Sequence, residues 1–210
     1  MTNLITIEGV RKDALNSLQW DLESGTIDPD LGASRKEVAQ RAIEDASADV
    51  EKYLSRKLIV RAHTDYFPSW ERVNNKIFKG ISNANFRYYP NHWPVLWSTK
   101  TVKGNWILSD REDEIEYIAG YRRYDQTLQD LQEIDSRITQ EIYDKIEVLP
   151  KDIRRVCHAI TMIHLTDAAE NNYAKSSRTI TTGNQTSQIN VRLDDPIGVQ
   201  LERLEAYRRI

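Results

Sequence analysis

The 210-residue chain is 40% apolar, 29% charged and 9% aromatic, an ordinary globular composition with material for one domain and an appended arm, which excludes wholesale disorder and fibrous architectures. No apolar run approaches the roughly 18 residues needed to cross a bilayer, which excludes a membrane-spanning role. With 29 Lys+Arg against 32 Asp+Glu the net charge is -3, which argues against a protein whose main task is gripping nucleic acid through its phosphates.

The mildly apolar start carries no basic region followed by an apolar core, so no secretory signal is legible. Cys157 is the single cysteine and cannot form an intramolecular disulfide, so folding in a reducing cytoplasm is expected. Residues 1–33 place Val10, Ala14, Leu18 and Leu22 at helical spacing before a loop around Asp28-Pro29-Asp30, and predict a short helix and an arm. Ser34-Arg35-Lys36-Glu37 fits a capping box. The helix it opens runs over 34–55, with Val38, Ala42, Ala46, Val50, Tyr53 and Leu54 on one face and Glu44, Asp45, Glu51 and Lys52 on the other.

From Leu58 the period changes to two, with Leu58, Val60, Ala62, Thr64 and Tyr66 on one side and Arg61, His63 and Asp65 on the other, the pattern of a strand. Residues 66–124 hold 13 of the 18 aromatics, with Phe86–Tyr89, Val95–Val102 and Ile115–Ile118 as short strands. Large rings in such a segment make a compact core and inter-subunit or tail contacts more readily than a platform for bases, and Trp93, Trp97 and Trp106 are the candidate contact residues. Leu128, Leu131, Ile134, Ile138, Ile142 and Ile146 predict a helix over 127–146. Seven acids against Arg137 and Lys145 give residues 125–147 a net charge of -5. Such a run is ordinarily a solvated face. Lining a pore, Asp130, Glu133, Glu141 and Asp144 would repel a passing polyanion.

Leu149-Pro150-Lys151-Asp152 opens another helix, over 151–172, with Ile153, Val156, Cys157, Ile160, Ile163 and His164 as its stripe. Residues 174–195 are polar, with a hairpin expected from 179–182 and 188–193 about Gly183-Asn184. A terminal amphipathic helix is expected from Pro196 to Ile210 through Ile197, Leu201, Leu204 and Tyr207.

No Gly-rich phosphate loop occurs, the four histidines lack metal-ligand spacing, and Cys157 on an apolar stripe reads as a buried structural thiol. The reading is therefore of a chain that is not an enzyme and carries no cofactor or metal.

Residues 42–58, an alanine-rich helix ending in Tyr53-Leu54 and leading into a strand, resemble the first helix of tailed-phage head-to-tail adaptor proteins, also called connector or head-completion proteins. Ile115-Glu116-Tyr117-Ile118-Ala119-Gly120-Tyr121 resembles that family's strand ending in an alanine-glycine-tyrosine turn. Leu149-Pro150-Lys151-Asp152-Ile153-Arg154 resembles its proline-led second helix, and Leu204-Glu205-Ala206-Tyr207-Arg208-Arg209 its final one. The resemblance spans 34–210, with an acidic helix where the family usually has a brief turn and with residues 1–33 outside it.

The resemblance implies a structural virion protein, made in the host cytoplasm and resident in the capsid–tail neck. It would form a ring, commonly a dodecamer, beneath the portal, extending a channel through which packaged DNA passes without sequence-specific binding. Its partners would be the portal protein, a tail or stopper protein, and itself. The expected fold is mainly α, a helical bundle core with a small antiparallel β element and an extended C-terminal segment ending in a helix. An adaptor core at 34–173 would lie between an N-terminal arm at 1–33 and a portal-docking segment at 174–210 using Ile197, Leu201, Leu204, Tyr207, Arg208 and Arg209. The alternative is a helical nucleic-acid-binding regulator using Arg154-Arg155 and Arg208-Arg209 on phosphates.

Overall fold

The computed structural model describes residues 3–23, 25–29, 31–66, 86–104, 106–109, 114–173, 181–182, 185–186 and 196–208. In chain order its elements are α1 (Ile7–Leu18), β1 (Ile27–Asp28), β2 (Ala33–Ser34), α2 (Arg35–Tyr53), β3 (Arg61–Tyr66), β4 (Phe86–Tyr88), β5 (Val95–Ser98), β6 (Thr101–Lys103), β7 (Trp106–Ser109), β8 (Glu114–Ala119), α3 (Leu128–Ile134), α4 (Gln140–Lys145), α5 (Lys151–Tyr173), β9 (Thr181–Thr182), β10 (Gln185–Thr186) and α6 (Pro196–Glu202), followed by a 3-10 turn at Glu205–Tyr207. Two compact units result, Met1–Ser55 with Pro150–Ile210, and Arg56–Leu149.

This corrects the expected mainly helical bundle. The described residues combine helices with two three-stranded sheets, a mixed α/β protein. The physical reason is that the β-branched and aromatic segment builds two sheets instead of a minor element, while the acidic stretch yields only two short helices.

In the first unit, α2 begins at its capping box. Ser34 Oγ accepts from the Glu37 amide at 3.2 Å and the Ser34 amide donates to the Glu37 carboxylate at 3.0 Å, which holds that carboxyl below its usual range. The buried face of α2, Ala39, Ala42, Ile43, Ala46, Ser47 and Val50, packs on α5, whose Ile153, Val156, Cys157, Ile160, Thr161 and Leu165 are buried. Small side chains on α2 let the two backbones approach closely. The polar groups inside this contact are paired: Ser47 Oγ donates to the Ile43 carbonyl at 2.7 Å and accepts from the Leu4 amide at 3.1 Å, and Thr161 Oγ1 donates to the Cys157 carbonyl at 2.9 Å. α1 packs on α5 through Val10 and Ala14.

The C-terminal segment is shorter in helix than the sequence predicts. α6 ends at Glu202 and the chain continues into the 3-10 turn. The polar hairpin pairs Thr182 with Gln185 and Thr181 with Thr186, tighter than expected, and residues 188–193 lie outside the described residues.

In the second unit, β3, β8 and β5 form one antiparallel sheet and β4, β7 and β6 another. Side chains alternate across β8, so its two faces feed different cores. Ile118, with Val60, packs against Leu131, Ile138, Ile142 and Ile146 of the α3–α4 region. Ile115, Tyr117 and Ala119 pack with Val95, with Ile107 of β7 and against Val102 of β6. Helices thus cover one face of the central sheet and the second sheet covers the other. A bulge between Val95 and Trp97 lets Leu96 and Trp97 both join the helical side.

Residues 127–146 form two helices instead of one. Asp135 accepts from the Arg137 amide at 2.9 Å and from its guanidinium at 2.8 Å, a local arrangement that competes with helical pairing. Thr139 then caps α4, its Oγ1 accepting from the Ile142 amide. Ile134, the apolar residue before the break, is 43% exposed.

Gly120 has φ +122, and a Cβ there would lie 2.7 Å from the Val60 nitrogen and 2.8 Å from the Leu58 oxygen. Gly120→Ala is expected to destabilise by about 3 kcal/mol or more through clash and strain. Gly9, in α1 where a Cβ would meet the Thr6 hydroxyl at 3.9 Å, an ordinary contact, provides the contrast: Gly9→Ala is expected to stabilise by about 0.5–1 kcal/mol. Denaturation followed by circular dichroism measures both, and comparable melting of the two variants would contradict the close approach at Gly120.

Candidate functional site

The residues singled out from the sequence fall into three places. In the C-terminal segment, Ile197 and Leu201 are half-buried and Val199 is 50% exposed. Leu204 is fully buried. Tyr207 donates to an Asp152 carboxylate oxygen at 3.4 Å, and burial with that neighbouring carboxylate raises its phenol above the usual value. The Tyr53 hydroxyl donates to Glu205 at 2.6 Å, a contact that raises the Tyr53 phenol too. The Arg208 guanidinium lies 5.4 Å from the Tyr53 ring centre and 3.8 Å from Glu205. Leu204, Tyr207 and Arg208 are therefore engaged within their own unit, and Arg209 lies outside the described residues.

Among the tryptophans, Trp93 is half-buried beneath Arg56, whose guanidinium carbon sits 3.2 Å from the ring centre while its Nη1 donates to the Trp93 carbonyl at 3.2 Å. Trp97 packs on the helical side of the central sheet, with Arg137 5.3 Å from its ring. Arg137 also pairs with Glu116 at 3.1 Å and Asp135 at 2.8 Å. Trp106 opposes Lys103 in the β6–β7 register, and its side chain lies outside the described residues.

The acidic candidates are all exposed and have distinct local tasks. Asp130 caps α3, accepting from the Thr127 amide at 2.7 Å and hydroxyl at 2.8 Å, bonds that hold its carboxyl below the usual range. Glu141 pairs with Lys145 at 2.7 Å, and Asp144 accepts from Gln140 at 2.7 Å. Glu133 is simply exposed on α3. Of the arginine pair on α5, Arg155 lies 3.9 Å from Asp152 and Arg154 is half-buried.

The structure also assembles a polar cluster that sequence reasoning missed. Its two imidazoles, His63 on β3 and His92 before β5, stack at 3.8 Å between centres with planes 19° apart, and the Tyr117 ring lies 5.4 Å from His63. The Tyr117 hydroxyl donates to Asp65 at 2.7 Å and accepts from the His92 amide at 3.3 Å, and Asp65 also accepts from the Asn91 amide at 3.3 Å. The Lys57 amide donates to His92 Nδ1 at 3.0 Å, which requires that nitrogen to be unprotonated. His63 Nε2 is buried with no hydrogen-bond partner among the described residues. Burial, then the neighbouring His92 and Arg61, pushes His63 down to about 3.

This cluster explains why β3 turns the way it does. Ala62 and Thr64 are exposed, while Arg61, His63 and Asp65 are half-buried, opposite Ala119, Tyr117 and Ile115. The alternation was readable, but the partners of the polar side lie some 30 to 50 positions away in sequence, and no local signal connects them.

Neutral stacked imidazoles and a Tyr–Asp hydrogen bond pin the loop before β5, the work of a positioning network. Among the described residues no group of three or more His, Cys, Asp and Glu side chains is placed to hold a metal ion, and no helix is long and apolar enough to cross a membrane. Cys157 is buried, and desolvation pushes its thiol up to about 12, a state in which the nucleophilic thiolate is scarce. Comparison with family models, curated proteins and solved structures finds no match to this chain.

Two outcomes follow from these environments. A histidine whose folded pKa lies near 3 against an ordinary 6.5 binds fewer protons folded than unfolded, so its contribution is full above about pH 6.5 and is lost as pH falls from there toward 3. His63→Phe should flatten the loss of melting temperature between pH 7 and pH 5 relative to the parent chain; parallel pH profiles would contradict the burial of a neutral imidazole. Cys157 should resist a thiol-specific disulfide reagent at about pH 8 in the folded chain and react on unfolding, as absorbance of the released thiolate would show.

Proposed function

We propose that this chain is a structural adaptor of a tailed-phage head-to-tail junction, its copies forming a ring beneath the portal and presenting an attachment surface for a tail or stopper protein. The observation that carries the reading is the packing of α2 on α5. These elements hold two of the family-like blocks, about a hundred residues apart in sequence, and they form the main helical contact of one unit. A third block supports it: the glycine of Ala119-Gly120-Tyr121 stands where the Val60 backbone leaves no room for a side chain.

The geometry narrows the portal-docking surface. Leu204 anchors the C-terminal segment to its own unit, and Tyr207 and Arg208 help to hold it. The surface left for a portal is the outer side of α6, with Val199 exposed at its centre and Ile197 and Leu201 half-buried beside it.

The test is the native mass of the purified chain, alone and mixed with the portal ring of the phage that encodes it. A discrete complex carrying one ring of copies is the expected result, and Val199→Asp should weaken it at least about tenfold, roughly 1.4 kcal/mol, without changing helix content. No association at any salt concentration would overturn the adaptor reading. Binding to duplex DNA with a steep salt dependence would then favour a nucleic-acid-binding role.

A further inference from the structure

The connection that carries the chain from the second sheet to the central one is short and fastened from both sides. β4 ends at Tyr88, paired with Ile107, and the Pro94 carbonyl accepts from the Gly120 amide at 3.0 Å. Between these two fixed points, Tyr89 to Trp93 lie outside any strand. Among the contacts that hold them, the Asn91 and His92 amides donate to Asp65 and to the Tyr117 hydroxyl at 3.3 Å each, Arg56 lies on the ring and carbonyl of Trp93, and the His92 ring meets both the Lys57 amide and His63.

The contacts of that ring depend on where its proton sits. His92 Nδ1 accepts from the Lys57 amide at 3.0 Å, so the neutral ring carries its proton on Nε2 and a second proton has only Nδ1 to occupy. There it would point at an N–H, and the bond to Lys57 is lost. A proton taken by His63 instead charges a ring whose Nε2 is buried with no partner among the described residues. Two imidazolium rings at the 3.8 Å stacking distance would also repel each other. Burial first, then His92 and Arg61, push His63 down to about 3, against a raising effect of Asp65. The surrounding charges, among the described residues, do not offset this. Arg61 on β3 and Arg56 and Lys57 after α2 are basic, Tyr117 on β8 supplies a hydroxyl, and Asp65 is the one acid, its Oδ2 already accepting from Tyr117 at 2.7 Å and from Asn91.

We propose that His63 and His92 form an acid-released latch: with both rings neutral the Tyr89–Trp93 connection is closed onto β3 and β8, and a proton on either ring opens it between Tyr88 and Pro94 while both sheets stay folded. The sign follows from the closed form binding fewer protons than the open one. Closure is complete above about pH 6.5, the ordinary imidazole value, and is lost as pH falls below it. Opening lifts Trp93 from beneath Arg56, so the acid form presents an indole ring that the neutral form keeps half-buried. The latch is independent of the adaptor reading, since it needs neither a portal nor a ring of copies.

Native-state hydrogen exchange of the full chain between pH 7.5 and pH 5, corrected for the intrinsic exchange rate, reads the latch at the amides of Lys57, Asn91 and His92. An imidazole that binds a proton only in the open form raises the open population about tenfold per pH unit below about 6.5, so protection at these amides should fall at least about tenfold by pH 5. The Val60 and Tyr121 amides, bonded in the Gly120 crossing, should keep theirs. His92→Asn leaves an acceptor for the Lys57 amide and His63→Phe leaves a ring to stack, neither of which titrates; together they should make protection at Lys57 and Asn91 independent of pH. Nitrogen NMR of the His92 ring in the parent chain needs no substitution, and should find Nδ1 unprotonated at pH 7.5. Parent protection that does not change with pH, an equal fall at Val60 and Tyr121, the same fall in the double variant, or a proton on His92 Nδ1 at pH 7.5 would each overturn the proposal.

Discussion

The second unit is organised by a backbone crossing at Gly120. Its amide donates to the Pro94 carbonyl at 3.0 Å, the next amide donates to the Leu58 carbonyl at 2.7 Å, and the Val60 amide returns to the Tyr121 carbonyl at 2.9 Å. Three chain segments are joined within two residues, at a separation that excludes a Cβ. The residues that follow extend the tie, since the Arg122 amide reaches the Glu147 carbonyl at 3.0 Å and the Leu149 amide returns to Arg122 at 2.8 Å. Both cores of this unit depend on it. Ile118 and Ala119, just before the crossing, face the helical layer and the second sheet respectively, so widening the crossing would disturb two sets of packed side chains together.

The first unit solves a different problem, the close contact of two helices of 19 and 23 residues. Alanines on α2 admit α5, and the groups such closeness would otherwise strand, the hydroxyls of Ser47 and Thr161, bond back to carbonyls four residues earlier. Cys157 sits in this environment as a small apolar residue, 3.7 Å from Ser47 Oγ; its burial raises the thiol, against the lowering effect of the Ser47 contact. At the rim of α5, His158 meets Asp13 at 3.3 Å and His164 meets Asp49 at 3.4 Å, tying α5 to α1 and to α2 through different carboxylates.

What the sequence made readable was what local chemistry determines. The capping box at Ser34, the alanine face of α2 and the proline-led start of α5 all rest on residues within four positions of each other. The break between α3 and α4 was local as well, but the apolar spacing from Leu128 to Ile146 is continuous and concealed it; only Asp135 turning its carboxylate onto Arg137 reveals why the helix stops. The architecture is not legible locally because aromatic content does not say how many sheets it builds: β5 and β6 are successive strands that belong to different sheets. The His63–His92 stack and the burial of Leu204 depend on partners tens of residues away. Periodicity marks which residues share a face, and leaves open which face finds a partner.

That distinction also decides what is left for recognition. Among the described aromatics of the second unit, Tyr117 and Tyr121 are buried and Trp93 and Trp97 half-buried beneath Arg56 and Arg137, while Tyr89 and Tyr124 are exposed. Arginines lying over those rings cover apolar area that would otherwise invite non-specific association. The described outer layers are consequently marked by charge more than by large apolar patches, and charge acts at longer range and with more sensitivity to salt than apolar burial does.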